Sequence, residues 1–206
     1  MLCALNQNGS FQTQEEISAK WDKYELTYSI KSGTGDFDKL RTALNLAMTS
    51  WDIEIPIKLK WVKSNGDITL EFSITDQYFI SSPGVLAYAY FPNSGALSGK
   101  IVFNDTYLWS IDGKSITGEE YTKRTGKQVS DPTNFFATYN ILHTLTHEIG
   151  HSLGLTHSGF KGDVMYPFYN RVTTLTDNDI LRITSKYGKS SNIKRLKEWL
   201  KRRINR

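Results

Sequence analysis

The pattern of apolar and polar residues predicts about five strands. Residues 24–31 alternate as a half-buried strand does. Strands are expected at 24–31, 57–63, 67–74, 85–91 and 100–103. The Ser-Asn-Gly turn at 64–66 separates the second strand from the third, and a loop rich in Gly, Ser and Asn separates the last two.

Apolar residues at helical spacing predict three main helices. Asp36 is a suitable N-cap for the first, which carries an apolar stripe made of Leu40, Leu44, Ala47, Met48 and Trp51. The helices are expected from Phe37 to about Trp51, from Thr133 through His151, and from Thr176 to Lys186. Gly188 is expected to end the last one. Residues 110–133 are polar and rich in Gly, Ser, Thr and Lys, which is typical of a long surface insertion.

Composition excludes several classes of protein. The 206 residues are 13% aromatic, which rules out a disordered chain. The longest apolar run, at 85–91, is far shorter than the ~20 residues that cross a bilayer. The single cysteine, Cys3, excludes an intrachain disulfide, and no signal peptide is visible at the start of this chain. We therefore expect a soluble globular domain.

The positive charge is concentrated at one end of the chain. Residues 189–206 carry a net charge of +7, whereas the whole chain carries +4, so the remainder carries −3. A generally basic surface is therefore absent, and sequence-specific nucleic-acid binding is not expected. The tail could contact an anionic membrane or polyanion, because Ile193, Leu196, Leu200 and Ile204 recur at helical spacing among its basic residues. A solvated basic tail is the alternative.

All four histidines lie between residues 143 and 157. Residues 147–157 have the H-E-x-x-H-x-x-G-x-x-H spacing of the metzincin signature. His147 and His151 are four residues apart and share a helix face, so both can bind one ion. Gly154 can take a positive φ, which lets the chain turn back and bring His157 to the same ion. Three neutral nitrogens with an open fourth position are the geometry of catalytic zinc.

Together with this motif, other segments make the chain resemble the catalytic domain of the matrixins, the matrix-metalloproteinase branch of the metzincins. Ser158 follows the third histidine, residues 164–169 read Val-Met-Tyr-Pro-Phe-Tyr like the family's Met-turn, and 175–188 match its closing helix. The resemblance covers about 20–188. It implies a metzincin fold of the α+β or α/β class, with a twisted mixed sheet, three main helices and a C-terminal subdomain after the third histidine.

The resemblance also implies the function of a zinc endopeptidase. Its single zinc would be held by His147, His151 and His157. Glu148 lies about 100° around the helix from His147, where it can hold a zinc-bound water, act as its general base and then protonate the leaving amine. Met165 would form an apolar floor beneath the zinc.

The substrate is expected to be an extended peptide that pairs with an edge strand at Leu86 and Ala87. By resemblance, the side chain after the scissile bond enters a pocket walled by Pro167, Phe168 and Tyr169. His143 lies one turn before His147. It either lines that pocket or is an ordinary hydrogen-bonded histidine of the helix.

The chain departs from the family where the family holds further metals. Tyr88 and Val102 stand where histidines of a second, structural zinc are expected, and Asn104 and Tyr107 replace acidic calcium ligands. We therefore expect one zinc, with calcium binding weak or absent, although Asp67 and Asp105 remain. Aromatic packing by Tyr88, Tyr90 and Phe91 is expected to replace the metal clips. Asn178 replaces an aspartate that in the family can pair with a processed N-terminus.

Three segments follow from this comparison: an N-terminal segment 1–19 that could be a pro-segment remnant, a catalytic domain 20–188, and the basic tail 189–206. Cys3 is placed like the family's inhibitory cysteine but lacks its surrounding motif, so an incidental thiol is the alternative. The chain is expected to be a monomer and, by resemblance alone, extracellular. The competing function is an inactive zinc-holding module that binds peptides or, through its tail, anionic surfaces.

Overall fold

A computed structural model describes the backbone of residues 2–6 and all of residues 19–33 and 36–191. Its strands are β1 (Leu2–Asn6), β2 (Glu25–Ile30), β3 (Lys58–Trp61), β4 (Ile68–Ser73), β5 (Val85–Tyr90), β6 (Lys100–Asn104), β7 (Trp109–Ser110), β8 (Ile116–Thr117), β9 (Phe135–Phe136) and β10 (Tyr139–Asn140). Its α-helices are α1 (Phe37–Asp52), α2 (Gln77–Ser81), α3 (Gly118–Thr125), α4 (Ile141–Ser152) and α5 (Asp177–Tyr187). The Cys3 thiol and the tail from residue 192 lie outside this description.

The five predicted strands form one mixed sheet, as expected, and β1 adds a sixth. The order is β1-β5-β6-β4-β2-β3. Strands β2, β3, β4 and β6 are parallel, whereas β5 is antiparallel to both of its neighbours. The outer neighbour of β5 is β1, with Leu5 opposite Ala87.

The first helix begins and packs as its sequence predicts. The Asp36 carboxylate caps it by accepting hydrogen bonds from the backbone N–H groups of Asp38 and Lys39. Its stripe is buried, and each leucine or methionine in it contributes roughly 1.5–3 kcal/mol relative to exposure. Trp51 also donates its indole N–H to the Thr146 carbonyl at 2.9 Å, which fixes α1 against α4.

The expected helix start at Thr133 is wrong, because α4 begins at Ile141. Residues 135–136 pair with β8, and 139–140 pair with β7, so strand pairing takes up the chain before the helix. The Asn140 side chain then caps α4 by accepting from the His143 N–H at 3.0 Å. The preceding segment 110–133 is more ordered than its composition predicts, because it contains β8 and α3.

The two ends of the domain meet at the end of α4. Trp21 donates its backbone N–H to the Tyr187 hydroxyl at 3.0 Å, and that hydroxyl donates to the Leu153 carbonyl at 2.9 Å. The Trp21 indole donates to the Ser152 carbonyl at 2.8 Å. These bonds tie the segment before β2 and the end of α5 to the same helix terminus.

A small aromatic cluster packs around Tyr88 and Tyr90 of β5. Tyr88 packs edge-on against Tyr78 and Tyr90, with ring centroids 5.2 and 5.8 Å away, and its hydroxyl donates to Asp76 at 2.7 Å. Tyr88 and Tyr90 thus pack as predicted. Phe91 does not join them, because its ring lies 5.7 Å from that of His151. None of the described helices is long and apolar enough to span a bilayer.

Candidate metal centre

The α4 helix brings the first two predicted ligands together. His147 and His151 lie one turn apart, both fully buried, and their Nε2 atoms are 3.0 Å from each other. Each ring is oriented through its other nitrogen. His147 donates its Nδ1–H to the Val164 carbonyl at 2.7 Å, and His151 donates to the Leu155 carbonyl at 2.6 Å.

The charge state of these two rings favours a bound cation. Burial, followed by the proximity of the other histidines, lowers the pKa of both His147 and His151 well below the ordinary value, so both rings are neutral near pH 7. Because each Nδ1 carries the proton, each Nε2 presents a lone pair. Two lone pairs facing each other at 3.0 Å in a buried site repel, and a cation between the rings would remove that repulsion.

His157 completes the group through a turn at Gly154. This glycine has φ +94°, as its place in the motif predicts, and a Cβ atom there would collide with the Ala19 carbonyl. The His157 ring centroid lies 5.3 Å from that of His147 and 4.7 Å from that of His151. The three ligand atoms lie within 4.8 Å of one another, the one such group among the described residues. Three imidazoles fit zinc.

Glu148 and Met165, for which roles as general base and apolar floor are predicted, are both buried. Glu148 follows His147 on α4 and is fully buried. Met165 is fully buried, and its sulfur contacts the helix at Gly150. The backbone N–H of Ser158 donates to the Met165 carbonyl at 2.8 Å, so the turn at Met165 is bonded to the segment that carries His157.

Comparison with known proteins agrees with this geometry. Residues 20–188 match the family model described as matrixin. The chain belongs to the matrixin family. This is a family of zinc-dependent metalloendopeptidases, and the three-histidine group fits zinc binding.

Individual matrixins are similar over most of this chain. Matrix metalloproteinase-18 of Xenopus laevis is 30% identical over 201 residues, which cover 92% of the chain and 38% of that protein. Matrilysin of Mus musculus is 32% identical over 187 residues, covering 85% of the chain and 62% of the relative. Matrix metalloproteinase-26 of Homo sapiens is 33% identical over 181 residues, which cover 82% of the chain and 60% of that protein. This matrixin chain therefore spans 38–62% of these relatives' lengths.

The predicted pocket residues are brought together in part. The Tyr169 ring lies edge-on to that of His143 with centroids 5.1 Å apart, and its hydroxyl accepts from the Asn140 N–H at 2.6 Å. Pro167 is buried, whereas Phe168 packs against Tyr166 at 5.6 Å. His143 donates its Nδ1–H to the Val172 carbonyl at 2.5 Å, and burial lowers the pKa of His143 to about 4.

Leu86 and Ala87 lie on β5, as predicted, but this strand is not an edge of the sheet. The position outside it is taken by β1, which runs antiparallel to β5 and also contacts α4. The expectation of an open edge strand is therefore wrong for this matrixin chain. The sequence does not predict β1, because Leu-Cys-Ala-Leu at 2–5 has no alternation of apolar and polar residues.

The sequence pattern does not predict two acidic residues that support the backbone around the metal centre. The Asp163 and Asp179 carboxylates are both buried. Asp179 accepts from the backbone N–H groups of Val164 at 2.9 Å and Met165 at 3.3 Å. Its sequence signal is a capping box with Thr176 at the start of α5. Asp163 lies in a loop, where an acidic residue usually signals only exposure to solvent.

Proposed function

We propose that this chain is a zinc-dependent endopeptidase that hydrolyses peptide bonds of extended protein substrates. The observation that carries this proposal is the convergence of two neutral imidazoles, with Nε2 atoms 3.0 Å apart, beside a third histidine and a buried glutamate. Family membership supports the same reaction class. We further propose one zinc, held by His147, His151 and His157.

The residues of the chain divide the chemistry between them. A zinc ion at the three histidines would polarise the scissile carbonyl and acidify a water molecule. Glu148 would take the proton from the attacking water and deliver it to the leaving amine, a transfer worth about 10²–10⁴ in rate. The Val164 and Leu155 carbonyls hold the His147 and His151 tautomers that leave Nε2 free for metal.

The substrate would run along β5 at Leu86 and Ala87, in the position that β1 takes in this structure. The side chain following the cut would enter the region of Pro167, Phe168 and Tyr169, with His143 at its side. We place the activity outside the cell, on family membership alone.

The competing proposal is a module that holds zinc and binds peptides without cleaving them. A casein cleavage assay, run with and without a zinc chelator, separates the two. We expect chelator-sensitive cleavage. Glu148→Ala should reduce it at least about 10²-fold while leaving one bound zinc per chain by elemental analysis. Zinc-loaded wild type that leaves casein intact would favour the binding module, and an active Ala variant would refute the role of Glu148.

A further inference from the structure

The Asp163 carboxylate is buried among neutral hydrogen-bond donors. Its side chain accepts from the Thr176 hydroxyl and the Asn178 amide, each at 2.6 Å, and from the Ser158 hydroxyl. The residue is 3% exposed, and no ion pair among the described residues includes it. A buried charge with no counter-ion is costly unless hydrogen bonds satisfy it. The three donors are therefore held tightly to this carboxylate.

One of these donors belongs to the residue next to a histidine of the metal centre. Ser158 follows His157, and its hydroxyl both donates to Asp163 and accepts from the Phe160 N–H at 3.1 Å. The Ser158 backbone N–H donates to the Met165 carbonyl at 2.8 Å. Asp163 thus closes the loop 158–163 and fixes the backbone from which the His157 imidazole projects.

The second buried carboxylate, that of Asp179, binds the backbone at Val164 and Met165, directly after the loop 158–163. Asp179 accepts from the Val164 N–H, and the Val164 carbonyl orients His147. The Thr176 hydroxyl donates to Asp163 at 2.6 Å and accepts from the Asp179 backbone N–H at 3.2 Å, while the Thr176 backbone N–H donates to the Asp179 carboxylate at 3.0 Å. Through Thr176, the supports of His157 and His147 form one hydrogen-bonded unit at the start of α5.

We propose that Asp163 is a positioning residue that sets the affinity of the three-histidine centre for zinc, by holding Ser158 and so the His157 imidazole in register with His147 and His151. The inference rests on the proposed zinc site, but zinc affinity can be measured without any cleavage. Partners behind metal ligands typically change metal affinity about 10- to 100-fold when they are removed.

The hydrogen-bonded pair Asp163 and Asn178 allows a sharp test, because exchanging the two residues moves the carboxylate from position 163 to position 178. In Asp163→Asn the side chain keeps one acceptor oxygen for three donors and brings an amide against the Asn178 amide. In the exchange variant Asp163→Asn/Asn178→Asp, the new amide donates to the new carboxylate. The Ser158 hydroxyl, which lies 3.4 Å from the Asn178 amide nitrogen, can then donate to that carboxylate.

The measurement is the dissociation constant for Zn²⁺ of each full-length variant, by competition with a chromophoric chelator, together with the visible spectrum of the Co²⁺-loaded protein. We expect Asp163→Asn and Ser158→Ala each to weaken Zn²⁺ binding about tenfold or more, with no further loss when they are combined. The exchange variant should recover most of the affinity and the wild-type Co²⁺ spectrum. Asp112→Asn, which changes an acid paired with Lys114 on the surface, is the matched control.

A merely structural role gives a different result. Asp163→Asn would then lower the melting temperature of the zinc-free chain while its Zn²⁺ dissociation constant stays within twofold of wild type, and this result would overturn the proposal. An exchange variant that binds Zn²⁺ no better than the single variant would also overturn it. Wild type that binds Zn²⁺ tightly but cleaves nothing would refute the proposed peptidase and leave this inference standing.

Discussion

The sulfur of Met165 lies where a side chain on Gly150 would have to stand. Gly150 is on α4, directly before His151, and the Trp51 ring of α1 lies 3.0 Å from the same point. Two helices and the turn after the third histidine therefore meet at one backbone position. Gly150 is not the glycine of the motif, which is Gly154; it is required here by close approach, since it is helical and has no positive φ.

Gly150→Ala should destabilise the fold by about 1–3 kcal/mol, because the added methyl group overpacks Met165 and Trp51. Urea unfolding at saturating zinc gives the free energy of unfolding. Gly162→Ala is the control, because a Cβ there meets nothing within 4 Å, and we expect a change within about 0.5 kcal/mol. Equal stability of the two variants would contradict the observed packing.

Removing residues 1–18 should lower KM for peptide substrates and leave kcat nearly unchanged. The reason is that β1 takes the position beside β5 proposed for the substrate, so only the fraction of molecules with β1 displaced can bind. We expect a fall in KM of about tenfold in a fluorogenic peptide assay.

Cys3→Ser in the full-length chain separates this effect from thiol chemistry. Backbone pairing by β1 survives the substitution, so its KM should stay at the full-length value. Activation by Cys3→Ser to the level of the truncated chain would show that the thiol, and not strand pairing, restrains the enzyme.

Elemental analysis should find one zinc per chain, and calcium removal should change the melting temperature little. Val102 is fully buried and has no side-chain atom that binds metal, and the Tyr88 hydroxyl donates its hydrogen bond to Asp76. Asp67 is also engaged, because it accepts from Thr27 at 2.8 and 2.9 Å and pairs with Lys23. Two tightly bound zincs, or a large loss of stability in a calcium-specific chelator, would contradict this prediction.

Tyr88→Phe should cost about 1.5–3 kcal/mol of unfolding free energy, the usual contribution of a hydrogen bond to a charged group. The variant keeps the ring packing against Tyr78 and Phe79 but removes the donor to Asp76. Tyr24→Phe, at an 84% exposed position, serves as the control and should change little. A neutral outcome for Tyr88→Phe would show that packing alone holds this cluster.

The stability of the wild type should fall with acid more steeply than that of His143→Leu. Burial lowers the pKa of His143 to about 4, whereas an unfolded histidine titrates near 6.5. The unfolded state therefore binds the extra proton first, and stability present above pH 6.5 is lost as the pH falls toward 4. Between pH 6.5 and 5 the His143 contribution to the free energy of unfolding should fall by roughly 2 kcal/mol. Denaturant unfolding of both proteins in matched buffers measures this loss. Parallel slopes for the two proteins would exclude a buried neutral His143.

The sequence predicts the grouping of His147, His151 and His157 because its geometry is local. His147, Glu148 and His151 are placed by the helical repeat alone, and Gly154 marks the turn that returns His157. Strands β2 to β6 are likewise predicted, because each is a local run of strand-forming residues, alternating in β2 and apolar throughout in β5.

What escapes prediction depends on contacts that are distant in sequence. The pairing of β1 with β5 joins residues about eighty or more positions apart, and the start of α4 is decided by strands formed with 109–110 and 116–117. In the sequence, Asp163 is an ordinary acidic residue of a loop. Its role depends on Thr176 and Asn178, which the fold brings within hydrogen-bond distance of its carboxylate. No short-range pattern encodes such partners.

The hydrogen bonds of Trp21 and Tyr187 make the two ends of the catalytic domain depend on each other. They join the segment before β2 directly to the end of α5, so each end completes its bonding only when the other is in place. Their common anchor is the Ser152–Leu153 terminus of the helix that carries His147 and His151. Release of either end of the domain would therefore leave carbonyl groups at the terminus of this helix without their present donors, close to the residues that carry the imidazoles.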